Sequence, residues 1–217
     1  MMSEAKAVLK LKPDPDFRSA LNPIETFSHI WVVFVFHQAG PRAWRPTIRP
    51  PRLDAPRRVG IFASRSPHRP NPIGISAVRL DRVDYDAPGG IEIHLSGVDL
   101  LDGTPVIDIK PYLPYADSIP EAGSGWASSE IPNYSVIFSE LAEDSLTRVP
   151  VEARAPLRSL IEQTLSWDPR PTSQRRAMPI EAESSQGMTF GLRISDFEVK
   201  WRIEEQKIRV LQILPLK

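Results

Sequence analysis

The chain has 217 residues, 41% of them hydrophobic, and its 27 basic side chains balance 27 acidic ones. This length and apolar content predict a soluble protein with one sizeable domain and an appendage, or with two small domains. A net charge of zero excludes general attraction to nucleic acid, and the absence of cysteine excludes disulfides, thiolate catalysis and cysteine-ligated metal sites and favours a reducing, cytoplasmic location.

Strand patterns dominate the first half of the chain. Short apolar runs, several with two-residue alternation, cover residues 7–12, 29–37, 59–64, 75–85 and 90–100. A turn of Asp, Pro and Gly predicts that the last two runs form an antiparallel hairpin. Because no helix-length pattern separates these strands, we predict an antiparallel sheet that closes into a small β-barrel, and not a doubly wound parallel sheet.

Membrane association is not expected from this sequence. The longest apolar run, IWVVFVF, is far too short to cross a bilayer. The N-terminal stretch MMSEAKAVLKLKPD lacks the apolar core of a signal peptide. We therefore predict that the protein has no membrane partner.

A second unit is predicted after residue 126. Proline and glycine make residues 113–126 look like a linker, which gives domains of 1–126 and 127–217. In the second domain, helical spacing of apolar residues over 151–168 ends at Asp168-Pro169. A polar loop over 170–187 then precedes three alternating strands, MTFGLRI, DFEVKWRIE and KIRVLQIL. The predicted fold class is mainly β, with a small α+β unit at the C-terminus.

The segment from Arg42 to Arg69 contains eight arginines, five prolines and a single acid, Asp54. Proline stiffens the segment and lowers the entropy lost on binding, while arginine binds phosphate in a bidentate manner. Interleaved aromatic residues suit single-stranded or loop RNA. We predict an RNA-binding surface, the alternative being a proline-rich corner with solvated arginines. The expected RNA-binding residues are Arg42, Trp44, Arg45, Arg49, Arg52, Arg69 and Asn71, with Arg170 of WDPRPTSQRR as a further phosphate contact.

A second group of polar residues follows an Asp-Gly turn in DLLDGTPVIDIKPYLPYAD. Asp108, Lys110 and Tyr112 alternate along one predicted strand face, which places an acid or base beside a cation and a phenol. The alternative is an exposed polar face with a surface ion pair. His37 and Gln38 end an apolar strand, where a ligand can reach them. Histidine spacing fits no metal motif, so no metal site is expected.

Several long segments resemble the TrmO-type tRNA methyltransferases, also described as TsaA-like or YaeB-like proteins. The segments are FSHIWVVFVFHQ, WRPTIRPPRL, VGIFASRSPHRPNPIGIS, DLLDGTPVIDIKPYLPYAD and the late DPRP. The resemblance covers residues 7–126 closely and the C-terminal unit more loosely. It implies a β-barrel domain with a C-terminal α/β unit, a homodimer, and S-adenosylmethionine (SAM) as methyl donor.

The resemblance further implies methylation of N6 of threonylcarbamoyladenosine beside the tRNA anticodon, which converts t6A to m6t6A. A glycine fingerprint of the Rossmann type does not follow any predicted strand, which agrees with a donor site of another kind. By motif, the donor cleft includes His37, Gln38, Arg65, Ile75, Asp102, Gly103, Thr104 and Pro105.

The acceptor base would then face Arg69, Asn71 and the group Asp108, Lys110 and Tyr112. Asp108 is the hypothetical proton acceptor, with Tyr112 or His37 as substitutes. The catalytic residues implied in this way are Asp108, Tyr112 and Lys110.

One departure from the family pattern concerns the N-terminus. Family members begin with a further strand and a loop, containing a Pro-Arg-Gln-like segment that lines the donor cleft, before the position that matches Ala7. We expect either a start codon further upstream or a shortened protein that lacks this strand and part of the cleft. The alternative function is therefore a catalytically impaired module that binds RNA or nucleotide. Phosphoester hydrolysis is disfavoured because the sequence has no metal-ligand spacing or nucleophile motif.

Overall fold

The computed structural model describes residues 5–38, 44–51 and 57–216. It divides into two compact units, the first within Met1–Pro50 and Pro56–Trp126, the second within Pro51–Ala55 and Ala127–Lys217. Each unit has an apolar core of its own. Within the described ranges, no helix is long and apolar enough to span a membrane.

The first unit is built on a five-stranded antiparallel sheet and a separate two-stranded ribbon. The sheet has the order β1-β6-β5-β2-β7, and the ribbon pairs β3 with β4. The predicted hairpin is confirmed as the β5–β6 pair. The strands are β1 (Lys6–Lys10), β2 (His29–Val35), β3 (Thr47–Ile48), β4 (Val59–Gly60), β5 (Ile73–Asp84), β6 (Glu92–Ser96) and β7 (Val106–Pro111); the short helices are α1 (Phe17–Ala20) and α2 (Pro114–Asp117).

Alternation along β2 separates a buried face from an outward one. Ile30, Val32 and Phe34 are buried, whereas the residues between them are partly exposed. Gly74 on β5 lies against this face, where a Cβ atom would come within 2.3 Å of Cζ of Phe34. The inward-facing side chains pack the core. The outward-facing side chains of β2 and of the adjacent strands β5 and β7 form an exposed face of the sheet.

The mainly β, antiparallel class is confirmed. Strands β1 and β7 form the two edges of the sheet, and no pairing joins these edges within the described residues. Closure of the sheet into a barrel stays a prediction.

The prediction of a strand over residues 59–64 is wrong beyond Gly60. Ile61–Ala63 forms a 3-10 turn instead, closed by hydrogen bonds from the amide and the hydroxyl of Ser64 to the Ile61 carbonyl at 3.2 and 2.9 Å. Serine competes in this way for local backbone groups and ends the strand. Ile61 is buried by the turn, and Phe62 points outward.

The second unit packs helices on a four-stranded sheet of order β8-β11-β10-β9. The predicted helix and the three late strands are confirmed, while the parallel pairing of β8 with β11 and the helix before residue 150 were not predicted. The elements are β8 (Val136–Phe138), α3 (Glu140–Thr147), α4 (Val151–Leu165), α5 (Thr172–Ala177), β9 (Thr189–Ile194), β10 (Phe197–Glu204) and β11 (Lys207–Pro215).

Helix α5 corrects the prediction that residues 170–187 form a loop. Its Thr172 hydroxyl and its Arg175 guanidinium both donate to the carbonyl of Pro51, at 3.1 and 2.9 Å. Pro51 belongs to the second unit although it lies within the arginine-rich segment of the sequence. Both contacts therefore lie within the second unit.

Candidate active site and nucleic-acid interface

The end of β2 is held between two loops of the first unit. The amide of Val35 donates to the Pro105 carbonyl at 3.0 Å, and the amide of Phe36 donates to the Pro72 carbonyl at 2.7 Å. One side of the strand end therefore carries the turn of residues 102–105, and the other carries the turn that begins at Asn71. The next two side chains, those of His37 and Gln38, are exposed between these loops.

The turn at residues 102–105 has a defined backbone. Both the amide and the hydroxyl of Thr104 donate to the Leu101 carbonyl, at 3.2 and 2.7 Å. Gly103 has φ +72°, in the left-handed region that favours glycine. Asp102 is exposed at the tip. The bond from Val35 to Pro105 connects this turn to the strand that ends just before His37 and Gln38, and their binding of the donor stays a prediction.

Ile75 and Asp108 lie on the same outward face of the sheet. Val33 on β2 is paired directly with Ile75 on β5 and with Asp108 on β7. Directly opposed residues point to the same side of a sheet, and two strand spacings separate Ile75 from Asp108 by about 10 Å. Both side chains are exposed. A residue predicted to contact the donor therefore shares a face with the predicted proton acceptor.

Lys110 controls the protonation of Asp108. Its ammonium lies 2.8 Å from the Asp108 carboxylate, and this hydrogen bond lowers the pKa of the Asp108 carboxyl below its ordinary value. An aspartate with its ordinary pKa is already ionised at neutral pH, so the lowered pKa keeps the Asp108 carboxylate charged to a lower pH and makes it a weaker proton acceptor. The same pair also fits the surface ion pair that the sequence left open as the alternative.

Tyr112 continues the polar row just beyond β7. Its amide donates to the His29 carbonyl at 3.0 Å, and its ring centroid lies 5.5 Å from that of Trp31. The predicted alternation of Asp108, Lys110 and Tyr112 along one face is confirmed by this register. Their catalytic roles stay predictions.

Arginines also brace the loop that carries them. Arg58 donates to the hydroxyl and the carbonyl of Thr47, at 2.8 and 3.0 Å, and so ties β4 to β3. Arg69 donates to the carbonyls of Ile61 and Ser64, at 3.1 and 2.7 Å. Arg69 was predicted to contact RNA, and the structure adds a bracing role that composition alone does not indicate.

Other members of the arginine-rich segment present their side chains to solvent. Trp44, Arg45, Arg49 and Arg65 are exposed, as is Asn71. The predicted contacts Arg42 and Arg52 lie outside the described residues. The exposed arginines leave a cationic surface on a braced ribbon, which is the arrangement expected for phosphate binding.

The prediction that Arg170 contacts RNA phosphate is corrected by its burial. Arg170 is 4% exposed, and its guanidinium donates to both carboxylate oxygens of Asp168 at 2.8 and 2.7 Å. A further donor binds the Met178 carbonyl at 3.0 Å. These bonds connect the two ends of α5, so the DPRP motif has a structural role in the second unit.

Sequence reasoning missed two other features of the first unit. Phe62 was assigned to a strand, yet its ring is 75% exposed. Ser76 donates to Asp99 at 2.6 Å beside Ile75, a pairing between residues distant in the sequence. Among the described residues, histidine, aspartate and glutamate form no group placed to hold a metal ion.

Comparison with known proteins gives the same family over the whole chain. Residues 1–118 match the tRNA-methyltransferase O N-terminal domain, and residues 131–216 match the TrmO C-terminal domain. The two matched ranges correspond approximately to the two compact units of the structure. The chain belongs to the TrmO family.

Two relatives and one solved structure show the extent of the similarity. An Escherichia coli tRNA (adenine(37)-N6)-methyltransferase is 39% identical over 216 residues, which are 99% of this chain and 88% of that protein. A protein of the same name from Eikenella corrodens is 42% identical over 83% of this chain and 93% of its own. The crystal structure of TrmO from Pseudomonas aeruginosa is 38% identical and superposes with a TM-score of 0.73, covering 98% of this chain and 85% of that one.

Proposed function

We propose that this protein is a SAM-dependent tRNA methyltransferase that methylates N6 of the adenosine at position 37, converting t6A to m6t6A. The observation that carries the proposal is identity of about 40% across nearly the whole chain with relatives named tRNA (adenine(37)-N6)-methyltransferase. Both family domains are matched, so the similarity extends beyond the arginine-rich motif.

The residues assigned to the donor site by the family resemblance have the chemistry to hold the methyl donor. His37, Gln38 and Asp102 offer polar groups for the amino-acid and ribose parts, and the exposed Arg65 guanidinium suits a carboxylate. Ile75, 50% exposed, gives an apolar surface for a base. SAM supplies an electrophilic methyl group on sulfur when bound, and these residues would hold it at the end of β2.

The acceptor side requires orientation and one proton acceptor. The N6 electron pair attacks the methyl carbon, the electrons of the carbon–sulfur bond stay on sulfur, and the N6 proton goes to the Asp108 carboxylate. The Lys110 ammonium, 2.8 Å from that carboxylate, would hold it in position before transfer. Tyr112, packed against Trp31, would contact the acceptor base beside it.

The arginine-rich ribbon would bind the tRNA backbone. Arg45 and Arg49 are exposed next to a β3–β4 ribbon that Arg58 braces. Phosphate contacts fix the position of an RNA without reading its sequence. The ribbon would thus hold the anticodon loop while the sheet face near Asp108 receives the base.

Three finer expectations belong to the same proposal: closure of the five-stranded sheet into a barrel, a homodimer, and action in the cytoplasm. The barrel and the homodimer follow from the family resemblance, and the antiparallel order of the sheet is compatible with the barrel. The cytoplasmic location follows from the absence of cysteine.

Methyl transfer from deuterated SAM tests the function. The purified protein is incubated with tRNA that carries t6A at position 37, and the nucleosides are analysed by mass spectrometry. We expect a trideuteromethyl group on t6A and none on other adenosines. Calorimetry with SAM alone identifies the alternative, because an impaired module without a donor site gives no binding heat. Label on a different nucleoside, or none despite SAM binding, would refute the assignment.

Exchange of Asp108 for Asn tests the proton acceptor. Loss of a general base lowers the rate by about 100-fold or more, with the affinity for SAM unchanged. Asp84→Asn is the matched control, since Asp84 also forms an exposed ion pair, with Arg82 at 3.5 Å on the same sheet. Full turnover of Asp108→Asn would remove Asp108 from this role.

A further inference from the structure

The turn at Ile61–Ala63 displays a single aromatic ring. Phe62 is 75% exposed, whereas Ile61 beside it is 1% exposed. An exposed aromatic ring offers a flat face on which a nucleobase can stack. The ring stands within the arginine-rich segment, between exposed Arg49 and exposed Arg65 in the sequence.

Hydrogen bonds hold the backbone on both sides of the ring. The Ile61 amide donates to the Pro46 carbonyl at 3.0 Å, and the Ala63 carbonyl accepts from the Trp126 indole at 2.9 Å. The Ile61 carbonyl also accepts from Ser64 and Arg69. These bonds fix the backbone that carries the Phe62 ring, which lowers the entropy lost when a flat ligand binds.

Arg69 places a fixed cation beside the ring. Its guanidinium carbon lies 5.6 Å from the Phe62 ring centroid, and its Nη1 is bound to the Ser64 carbonyl at 2.7 Å. Aromatic rings with arginine nearby are the common means of binding unpaired bases, because every base has a flat π-face and is attached to phosphate. The combination therefore favours a nucleobase over a purely apolar ligand.

We propose that Phe62 is a stacking platform for an unpaired nucleobase of the tRNA. The proposal rests on the proposed tRNA substrate and adds the residue on which a base of the loop stacks. Phe62 stacks face to face with that base, and Arg69 holds the ring and neutralises nearby phosphate.

Substitutions at Phe62 separate stacking from apolar contact. Phe62→Leu keeps an apolar side chain without a π-face, and Phe62→Tyr keeps the ring. Affinity for an anticodon stem-loop RNA is measured by fluorescence polarisation, and affinity for SAM by calorimetry. Tyr115→Leu is the matched control, since Tyr115 is an 87% exposed aromatic residue of the same unit.

We expect Phe62→Leu to weaken RNA binding about tenfold, with Phe62→Tyr and Tyr115→Leu close to wild type. The slope of affinity against salt should stay unchanged, because no phosphate contact is removed. The affinity for SAM should also stay unchanged. Wild-type RNA affinity in Phe62→Leu, equal loss in Phe62→Tyr, or a loss confined to SAM would each overturn the platform.

Binding and methyl transfer are measured separately, so the two proposals fail in different ways. Wild-type protein that binds the RNA through Phe62 but transfers no methyl group overturns the function and supports the platform. If methyl transfer occurs but RNA affinity is the same with and without the Phe62 ring, the proposed function is supported and the stacking role of Phe62 is overturned. Absence of RNA binding by the wild-type protein overturns both.

Discussion

Removal of the Arg170 guanidinium should destabilise the second unit strongly. In Arg170→Met, the carboxylate of Asp168, itself 5% exposed, loses both bonds from the guanidinium and keeps only the backbone amide of residue 170, at 3.4 Å, while the Met178 carbonyl loses its donor. Breaking a buried ion pair on one side costs about 3–5 kcal/mol, because an uncompensated charge is left inside. We expect a loss of about 4 kcal/mol in the free energy of unfolding. For a unit of this size, that lowers Tm by roughly 16 °C or more.

Scanning calorimetry measures the effect, and hydrogen exchange with mass spectrometry assigns each transition to a unit. Only the transition of the second unit should move. Asp168→Asn combined with Arg170→Met removes the charge as well, so the double variant should be more stable than Arg170→Met alone. Arg193→Met, at an exposed position on β9, is the control and should change stability by less than about 0.5 kcal/mol.

Two results would refute the reasoning. The first is an Arg170→Met protein that unfolds within about 1 kcal/mol of the wild type, which would mean that the pair contributes little beyond a surface bridge. The second concerns RNA: if Arg170 contacted phosphate, Arg170→Met would lower the salt slope of tRNA binding by about 1, and a loss of that size would refute the structural assignment.

The remaining predictions concern the first unit. Gly74→Ala should lower the free energy of unfolding, measured in urea, by about 1–3 kcal/mol, because the added Cβ atom would overlap the Phe34 ring. Gly60→Ala should not lower it, because open space surrounds Gly60. Equal effects of the two substitutions would contradict this packing. Lys110→Met should raise the pKa of the Asp108 carboxyl towards its ordinary value, which NMR titration measures. Asp108 should therefore stay charged to a lower pH in the wild type than in the variant. An unchanged pKa would show that Lys110 does not lower it. Arg49→Gln should reduce the salt slope of tRNA binding by about 1 without changing SAM affinity, and an unchanged slope would remove Arg49 from the interface.

Local sequence patterns predicted the strands and helices of this protein better than they predicted which strands lie side by side. Two-residue alternation identified β2, β5 and β6, and helical spacing identified α4, because each pattern reflects one buried face. The pairing of β1 with β6 joins residues about 85 positions apart. Packing of the whole sheet decides such a pairing, and no local pattern records it.

The candidate site shows the same division. The alternation of Asp108, Lys110 and Tyr112 was readable because strand geometry fixes it. The burial of each arginine was not predictable, because it depends on how the surrounding elements pack. Arg170 is buried with Asp168 and the Met178 carbonyl as partners, whereas Arg65 is exposed.

The position of β11 has a consequence for how the protein is made. This strand lies between β8 and β10, so the sheet of the second unit lacks a central member until residues 207–215 have left the ribosome. The sheet of the first unit is complete once residue 111 has emerged, and domains generally fold as they are synthesised. During translation, the sheet of the first unit can therefore form before α5 has been synthesised. Until then, the carbonyl of Pro51 lacks its two donors, Thr172 and Arg175.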